Sequence, residues 1–256
     1  MIYLIILLLA FLGLSLRYNW WRKSVSFAHA RVLMYHSIDE HFGERFDKWR
    51  VKPSEFEKQI AYLSKHGFKS YKLSEMLNLD KIPPKSVVIS FDDGFANNFK
   101  AFEILQKYGF KASIFLVPNA KQNTWDSQNT EHLSDMLSAE QIKIMQESGL
   151  VEFGAHTMTH ANLCKCDDPK SEIANSKIEV EKLSGKKCEI FAYPYGKYDE
   201  NILNFVRELG FIGAVVVKRG VYKMGDDKFS IKRIGILGTE SMIDFWLRIT
   251  KIRNKL

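Results

Sequence analysis

Apolar and polar positions divide this chain into an apolar leader followed by short apolar runs that alternate with amphipathic stretches. Residues 2–16 carry no charge and are almost wholly apolar, and Arg17, Arg22 and Lys23 follow them. A spanning helix needs about 17–25 residues, so this one is short unless Tyr18, Trp20 and Trp21 extend it at the membrane interface. Further on, Phe56, Ile60 and Leu63 fall at helical spacing after Pro53 and stop at Gly67. Asn97 or Asn98 caps a helix carrying Phe102 and Leu105 that ends at Gly109. Ser138 with Gln141 is a capping box opening a helix over 138–149. Asp168-Pro169 starts another that reaches about 184–185, and a further one covers 199–210. Between them stand the apolar runs at 31–35, 87–91, 111–117 and 151–155, a short one ending in Phe191-Ala192, and 213–217. Alternation of this kind predicts an α/β fold with a parallel sheet, open or closed. No low-complexity linker or internal repeat divides residues 24–256, which read as one domain behind an N-terminal segment over 1–23.

Several of these runs end in chemistry. Val87-Val88-Ile89-Ser90-Phe91 runs into Asp92-Asp93-Gly94, two adjacent carboxylates at the end of a strand. Neighbouring carboxylates repel unless a cation or a shared proton separates their roles, although Asp and Gly also serve as plain turn residues. Val151-Glu152-Phe153-Gly154-Ala155 runs into His156-Thr157-Met158-Thr159-His160. Histidines four apart share one face of a helical turn, so both imidazoles reach one ion. With Asp93 they form a two-histidine, one-carboxylate set that leaves positions open for water and substrate. Phe191-Ala192 leads into Tyr193-Pro194-Tyr195-Gly196, which reads either as loop punctuation or as a rigid loop offering a backbone N–H to an oxyanion.

These three motifs, in this order, resemble those of the polysaccharide deacetylases, the NodB-homology group of carbohydrate esterase family 4. The likeness extends over nearly all of the chain from about Arg31 onward. It implies a distorted (β/α) barrel of about seven strands, preceded here by the apolar N-terminal helix. It also implies an N-deacetylase acting on an amino-sugar glycan, with Asp92 as general base and Asp93, His156 and His160 as ligands of one divalent metal ion, zinc foremost. Tyr195 would supply the oxyanion N–H, and Pro194 and Tyr195 would contact substrate. A divalent cation activates water near neutral pH, so the assignment is chemically self-consistent.

Two positions depart from the family. Ala192 stands where an arginine usually orients the catalytic aspartate, and Arg233 is a possible substitute. The usual C-terminal Leu-x-His is missing, and no histidine follows His160. The strand-like run 31–35 ends in His36 instead, and in a closed barrel first and last strands are neighbours. His36 is therefore proposed as the general acid. That arrangement resembles the permuted branch acting on poly-N-acetylglucosamine. A non-heme iron oxygenase shares the ligand set but needs no Asp92, and Ala192 raises the alternative of an inactive glycan-binding scaffold.

Charge and compartment refine the picture. The net charge of +7 is spread along the chain without a nucleic-acid motif, so no nucleic-acid partner is expected. The stretch from Ser241 onward sets Ile243, Trp246, Ile249 and Ile252 against Arg248, Lys251, Arg253 and Lys255, as in an interfacial helix or one packed on the barrel. An Ala28-His29-Ala30 cleavage site fits a signal peptide, but the basic residues follow the apolar run instead of preceding it, which favours an uncleaved membrane anchor. The catalytic side of the membrane stays open. Cys164, Cys166 and Cys188 suggest no disulfide framework. The loop 119–137 is long and polar, and Trp125 within it reads equally as a sugar platform or a packed residue.

Overall fold

The computed structural model describes residues 2–18, 21 and 23–252. Helix α1 (Ile2–Tyr18) has 17 residues. Such a helix rises about 26 Å, against a hydrocarbon core of ~30 Å. Among the described residues no helix is long and apolar enough to cross a membrane. Trp20, part of the expected interfacial extension, lies outside the described residues.

Among the described residues ten strands and seven further α-helices follow: β1 (Arg31–Tyr35), β2 (Ser37–Ile38), β3 (Arg50–Val51), α2 (Pro53–Lys65), β4 (Lys69–Tyr71), α3 (Leu73–Leu77), β5 (Ser86–Phe91), α4 (Asn98–Tyr108), β6 (Ala112–Leu116), α5 (Ala139–Glu147), β7 (Val151–Ala155), α6 (Pro169–Ser184), β8 (Ile190–Ala192), α7 (Glu200–Glu208), β9 (Gly213–Arg219), β10 (Ile231–Gly235) and α8 (Met242–Lys251). Strands β1, β5, β6, β7, β8, β9 and β10 form a closed parallel ring in that order. The first strand of the ring therefore lies beside the last, and the ring has seven strands, as expected. Strand β4 pairs with Ser86–Val88 on the edge of β5 that β6 takes over from Ile89. Closure leaves the ring without an open edge.

The continuous apolar runs follow from burial on both faces. Val32, Val88, Phe115, Ala192 and Val215 fill the barrel interior, which Leu73, Met76 and Leu77 of α3 plug from below. The alternate residues, such as Leu33, Ile89, Ile114 and Val216, meet helix side chains Phe56, Phe102, Ile173 and Val206 outside. Glu152 fixes the plug: it accepts from the Ser74 N–H at 3.1 Å, from the Ser74 hydroxyl, and from the Ser113 hydroxyl at 2.6 Å.

Most sequence-level caps hold. Ser138 and Gln141 close their capping box, Asp168 and Asp199 accept from the third residue beyond them, and Gly109 and Gly185 adopt the left-handed C-cap conformation. Asn97 does not cap α4 with its side chain. That amide instead accepts from the Ile38 N–H at 3.1 Å and donates to the Ser37 hydroxyl at 2.8 Å, while Asn98 donates to the His36 carbonyl at 2.7 Å. The two asparagines thus hold the segment after β1 in place. In α8, Phe245, Leu247 and Ile249 are buried, so the helix packs on the barrel. Arg248 is no solvated charge, because it forms a buried ion pair with Glu240. Arg253 and Lys255 lie outside the described residues.

Gly154 on β7 faces the interior, where a Cβ would stand 2.7 Å from both the Ile190 carbonyl oxygen and Phe115 Cδ1. Overpacking of this kind typically costs ~1–3 kcal/mol. Gly154→Ala is expected to lower the urea-unfolding midpoint by a corresponding amount at unchanged slope. An unaltered midpoint would mean that the barrel wall yields.

Candidate active site and metal centre

The chemistry gathers where the parallel strands end. Beyond β5 the chain turns sharply, with φ of 71° at Asp93 and 78° at Gly94. A Cβ on Gly94 would come within 2.6 Å of Leu116 Cδ2, so this turn has no room for a side chain. Left-handed backbone at a non-glycine residue is strained and persists only where its surroundings enforce it. Here the two adjacent carboxylates are drawn to separate partners.

Asp92 is taken by Arg233. The guanidinium donates Nη1 to Oδ1 at 2.6 Å and Nη2 to Oδ2 at 2.7 Å, and its Nε donates to the Val216 carbonyl at 3.2 Å. Arg233 is fully buried on β10, across the ring closure from β5. Burial alone would raise the Asp92 carboxyl, but the guanidinium outweighs it and holds the group well below the usual carboxylate range. Position 192 contributes in another way: the Ala192 carbonyl accepts from His156 Nδ1 at 2.7 Å.

Asp93 faces the histidines. Its Oδ1 lies 3.5 Å from His156 Nε2 and 3.3 Å from His160 Nε2, and the three residues are buried. Donor atoms about 2.0–2.2 Å from one tetrahedral cation stand roughly 3.3–3.6 Å apart. Asp93 Oδ1 is buried with no hydrogen-bond partner, and burial together with the Asp92 charge pushes this carboxyl up. Burial keeps both imidazoles neutral, lowering His156 and taking His160 to about 2. Neutral imidazoles and an unsatisfied carboxylate oxygen are the forms that bind a divalent cation. Both Nδ1 atoms are already engaged, His156 with the Ala192 carbonyl and His160 with the Tyr195 hydroxyl at 3.1 Å, which leaves Nε2 for the ion.

One expectation is corrected here. Residues 156–160 form no helical turn; they are a loop with φ of 63° at Thr157 and 60° at His160. The loop's own bends bring the two imidazoles together, with ring centroids 4.9 Å apart.

A cavity of about 250 Å³ opens over this centre, and Asp92, Asp93, His36, His156, His160 and Tyr195 all line it. His36 Nε2 stands 4.0 Å from Asp92 Oδ2, and the ring packs on Trp49 at 4.7 Å. Burial lowers His36 to about 4, with the Asp92 charge opposing only part of that effect. Tyr195 sits at φ 57° in a tight turn, followed by Gly196, where a Cβ would meet Val217 Cβ at 2.9 Å. Pro194 is buried and does not line the cavity.

Sequence reasoning missed Trp49 and Asp126, which also line the cavity, and left Trp125 undecided. Trp125 stacks on His160 at 4.4 Å and 21°. The loops bearing these residues are joined by Arg50, which donates to Glu44 at 2.8 Å, Asp47 at 2.9 Å, Thr130 at 2.9 Å and the His132 carbonyl at 2.7 Å. A buried arginine between two polar loops was the only signal available, and it has no sequence pattern. Cys164, Cys166 and Cys188 are free thiols outside the cavity lining.

The structure is thus a closed parallel (β/α) barrel with paired acids and an Asp-His-His trio at its carboxyl rim, and comparison with known proteins gives its family. The polysaccharide deacetylase family model matches residues 80–214. YxkH of Bacillus subtilis (strain 168), a protein named for this family, is 30% identical over 223 residues, covering 84% of this chain and 74% of that protein. The poly-beta-1,6-N-acetyl-D-glucosamine N-deacetylase of Staphylococcus aureus (strain MRSA252) is 29% identical over 212 residues, covering 77% of this chain and 69% of the relative. The crystal structure of BC0361, a polysaccharide deacetylase from Bacillus cereus, superposes with a TM-score of 0.75 at 30% identity, covering 86% of this chain and 69% of that one. The chain belongs to the polysaccharide deacetylase family, in the NodB-homology group of carbohydrate esterase family 4.

The Asp92–Arg233 pair carries a stability prediction. A carboxylate held below its ordinary value of 3.8 contributes stability above that pH and loses it as the pH falls. Arg233→Met leaves the buried Asp92 unpaired, which typically costs ~3–5 kcal/mol at neutral pH. The loss is expected to shrink as the pH falls and Asp92 takes up a proton in the variant. Denaturant midpoints of both proteins from pH 7 to pH 4 test this, and a pH-independent difference would contradict it.

Proposed function

We propose that this protein is a metal-dependent hydrolase that removes N-acetyl groups from an N-acetylglucosamine-containing glycan. One observation carries the reading: a buried two-histidine, one-carboxylate trio shares a cavity with a second carboxylate locked by an arginine. Asp93, His156 and His160 would hold a divalent ion, and imidazole with carboxylate suits zinc or a neighbouring transition ion. The ion would supply Lewis-acid polarisation of the acetyl carbonyl and activation of water.

The chain's own groups account for the rest. Asp92, its orientation fixed by Arg233, takes a proton from the attacking water as general base. The Tyr195 backbone N–H, carried on the left-handed turn, donates to the developing oxyanion. His36 delivers a proton to the departing amine. At rest its imidazole is neutral, because burial lowers it to about 4. The proton it delivers must therefore arrive within the cycle, and Asp92 at 4.0 Å is its nearest acidic neighbour. Arg233 on Asp92 also weighs against the inactive-scaffold alternative raised by Ala192. An oxygenase would leave the Asp92–Arg233 pair without a use. The substrate class follows the Staphylococcus aureus relative, which is named for poly-beta-1,6-N-acetyl-D-glucosamine.

We further propose that the enzyme associates with a cell membrane through α1, a reading supported by Leu7 and Leu8, which are 67% and 66% exposed. A helix of this length embeds its apolar side chains in lipid without needing to match the full thickness of the bilayer.

Acetate release from β-1,6-linked N-acetylglucosamine oligomers is the direct test; it should be abolished by chelator and restored by zinc. His36→Ala is expected to reduce kcat by about 10²–10⁴ with little change in KM. Wild-type kcat/KM should hold through neutral pH; a tenfold fall per unit above about pH 4 would mean that His36 must be charged at rest. Fractionation of cells expressing the full chain should find it with membranes, and deletion of residues 2–18 should release it. Equal partition of both forms would remove the role given to α1.

A further inference from the structure

Three carboxylates line the cavity among the described residues, and the reaction as proposed uses two. Asp92 is occupied by Arg233, and Asp93 belongs to the ligand trio. The third, Asp126, belongs to neither. It comes from the long loop 119–137, where it ends a short 3₁₀ turn over Thr124–Asp126.

The side chain is held from beneath. Asn123 is fully buried, and its amide donates to Asp126 Oδ2 at 3.1 Å while its own Oδ1 accepts from the Ser134 N–H at 2.7 Å. The Phe46 N–H donates to the Asn129 carbonyl at 3.1 Å, and Arg50 joins the same two loops. A loop fixed at this many points presents its carboxylate in one position before any ligand arrives, which lowers the ordering cost of binding.

The surroundings select the ligand. Trp49, Trp125 and Tyr195 line the cavity with aromatic surface, and Asp126 adds a strong acceptor among them. An ionised carboxylate has about four acceptor sites and no donor, so the Asn123 amide and the Trp125 indole N–H leave capacity for a further donor within the cavity. A neutral sugar ring offers hydroxyl donors at its rim and apolar C–H faces to aromatic side chains. We propose that Asp126 is a substrate-binding residue that accepts a hydrogen bond from a ring hydroxyl of the amino sugar being deacetylated. This rests on the functional reading above. It adds a specificity determinant on a loop outside the three motifs.

The test uses the zinc-loaded full chain with a β-1,6-linked N-acetylglucosamine pentamer. Asp126→Ala should raise KM about tenfold to a hundredfold, as expected for loss of a hydrogen bond to a charged group, with kcat within about threefold of wild type. Asp126→Asn keeps the shape and one neutral acceptor, so its KM should fall between those of wild type and Asp126→Ala. Zinc content and circular dichroism of each variant report on the centre and the fold. Unchanged KM in both variants overturns the proposal. So does a loss confined to kcat with a shifted pH profile, because that would make Asp126 an acid or base. A wild-type protein that binds zinc but releases no acetate from any N-acetylated saccharide overturns the functional reading itself, and this proposal with it.

Discussion

Two like charges on consecutive residues cannot share one buried rim unless something separates them, and the Asp92–Arg233 pair does so. Its two short hydrogen bonds join β5 to β10 through the barrel, with β1 between those strands in the ring. A bidentate guanidinium fixes both the charge and the plane of the carboxylate, which a lysine at the same place would not do. With Asp92 neutralised, Asp93 turns to the two imidazoles, and its buried oxygen is left for a cation. The strained turn at Asp93 and Gly94 is the local cost of sending adjacent side chains to different partners.

Closure of the ring makes that pair possible. An arginine near the end of the chain can meet an aspartate near its middle because β1 sits between β10 and β5. The same closure delivers His36, which follows β1, to the rim where Asp92 lies. The family's usual arginine would come from β8; here β8 ends in Ala192, whose carbonyl orients His156 instead. Arg233 and His36 thus reach Asp92 from β10 and from the end of β1. A barrel tolerates such exchange because all strands point the same way and all end at one rim.

The walls of the cavity follow a different logic. Glu44, Asp47 and Arg50 from the segment after β2, with Thr130 and His132 from the loop 119–137, form one polar network around the buried Arg50, outside the reacting centre. It holds Trp49 on one side and Trp125 with Asp126 on the other. Trp125 stacked on His160 and the Tyr195 hydroxyl on His160 Nδ1 connect these walls to the ligand trio. The shape of the cavity and the geometry of the Asp93, His156 and His160 trio are therefore mechanically linked.

Much of this was legible in the chain. The strand-ending motifs located Asp92, Asp93, His156, His160 and Tyr195, because β-branched runs mark buried parallel strands and their ends mark the rim. Helix limits followed from Ser138, Asp168, Asp199 and the glycine stops, since capping is a local interaction. The sequence also required some partner for an aspartate whose usual arginine was missing, and named Arg233 without placing it. Tertiary structure alone decided the rest. Which residue faces Asp92 depends on ring closure, a contact made across 141 positions. Whether Trp125 is packing or part of the site, and whether Asp126 faces a cavity, depends on how an aperiodic loop is pinned by a distant arginine. That α8 turns Arg248 inward depends on Glu240 waiting there. Local patterns record periodicity and capping because those act between near neighbours; long-range pairing leaves no such trace in one sequence.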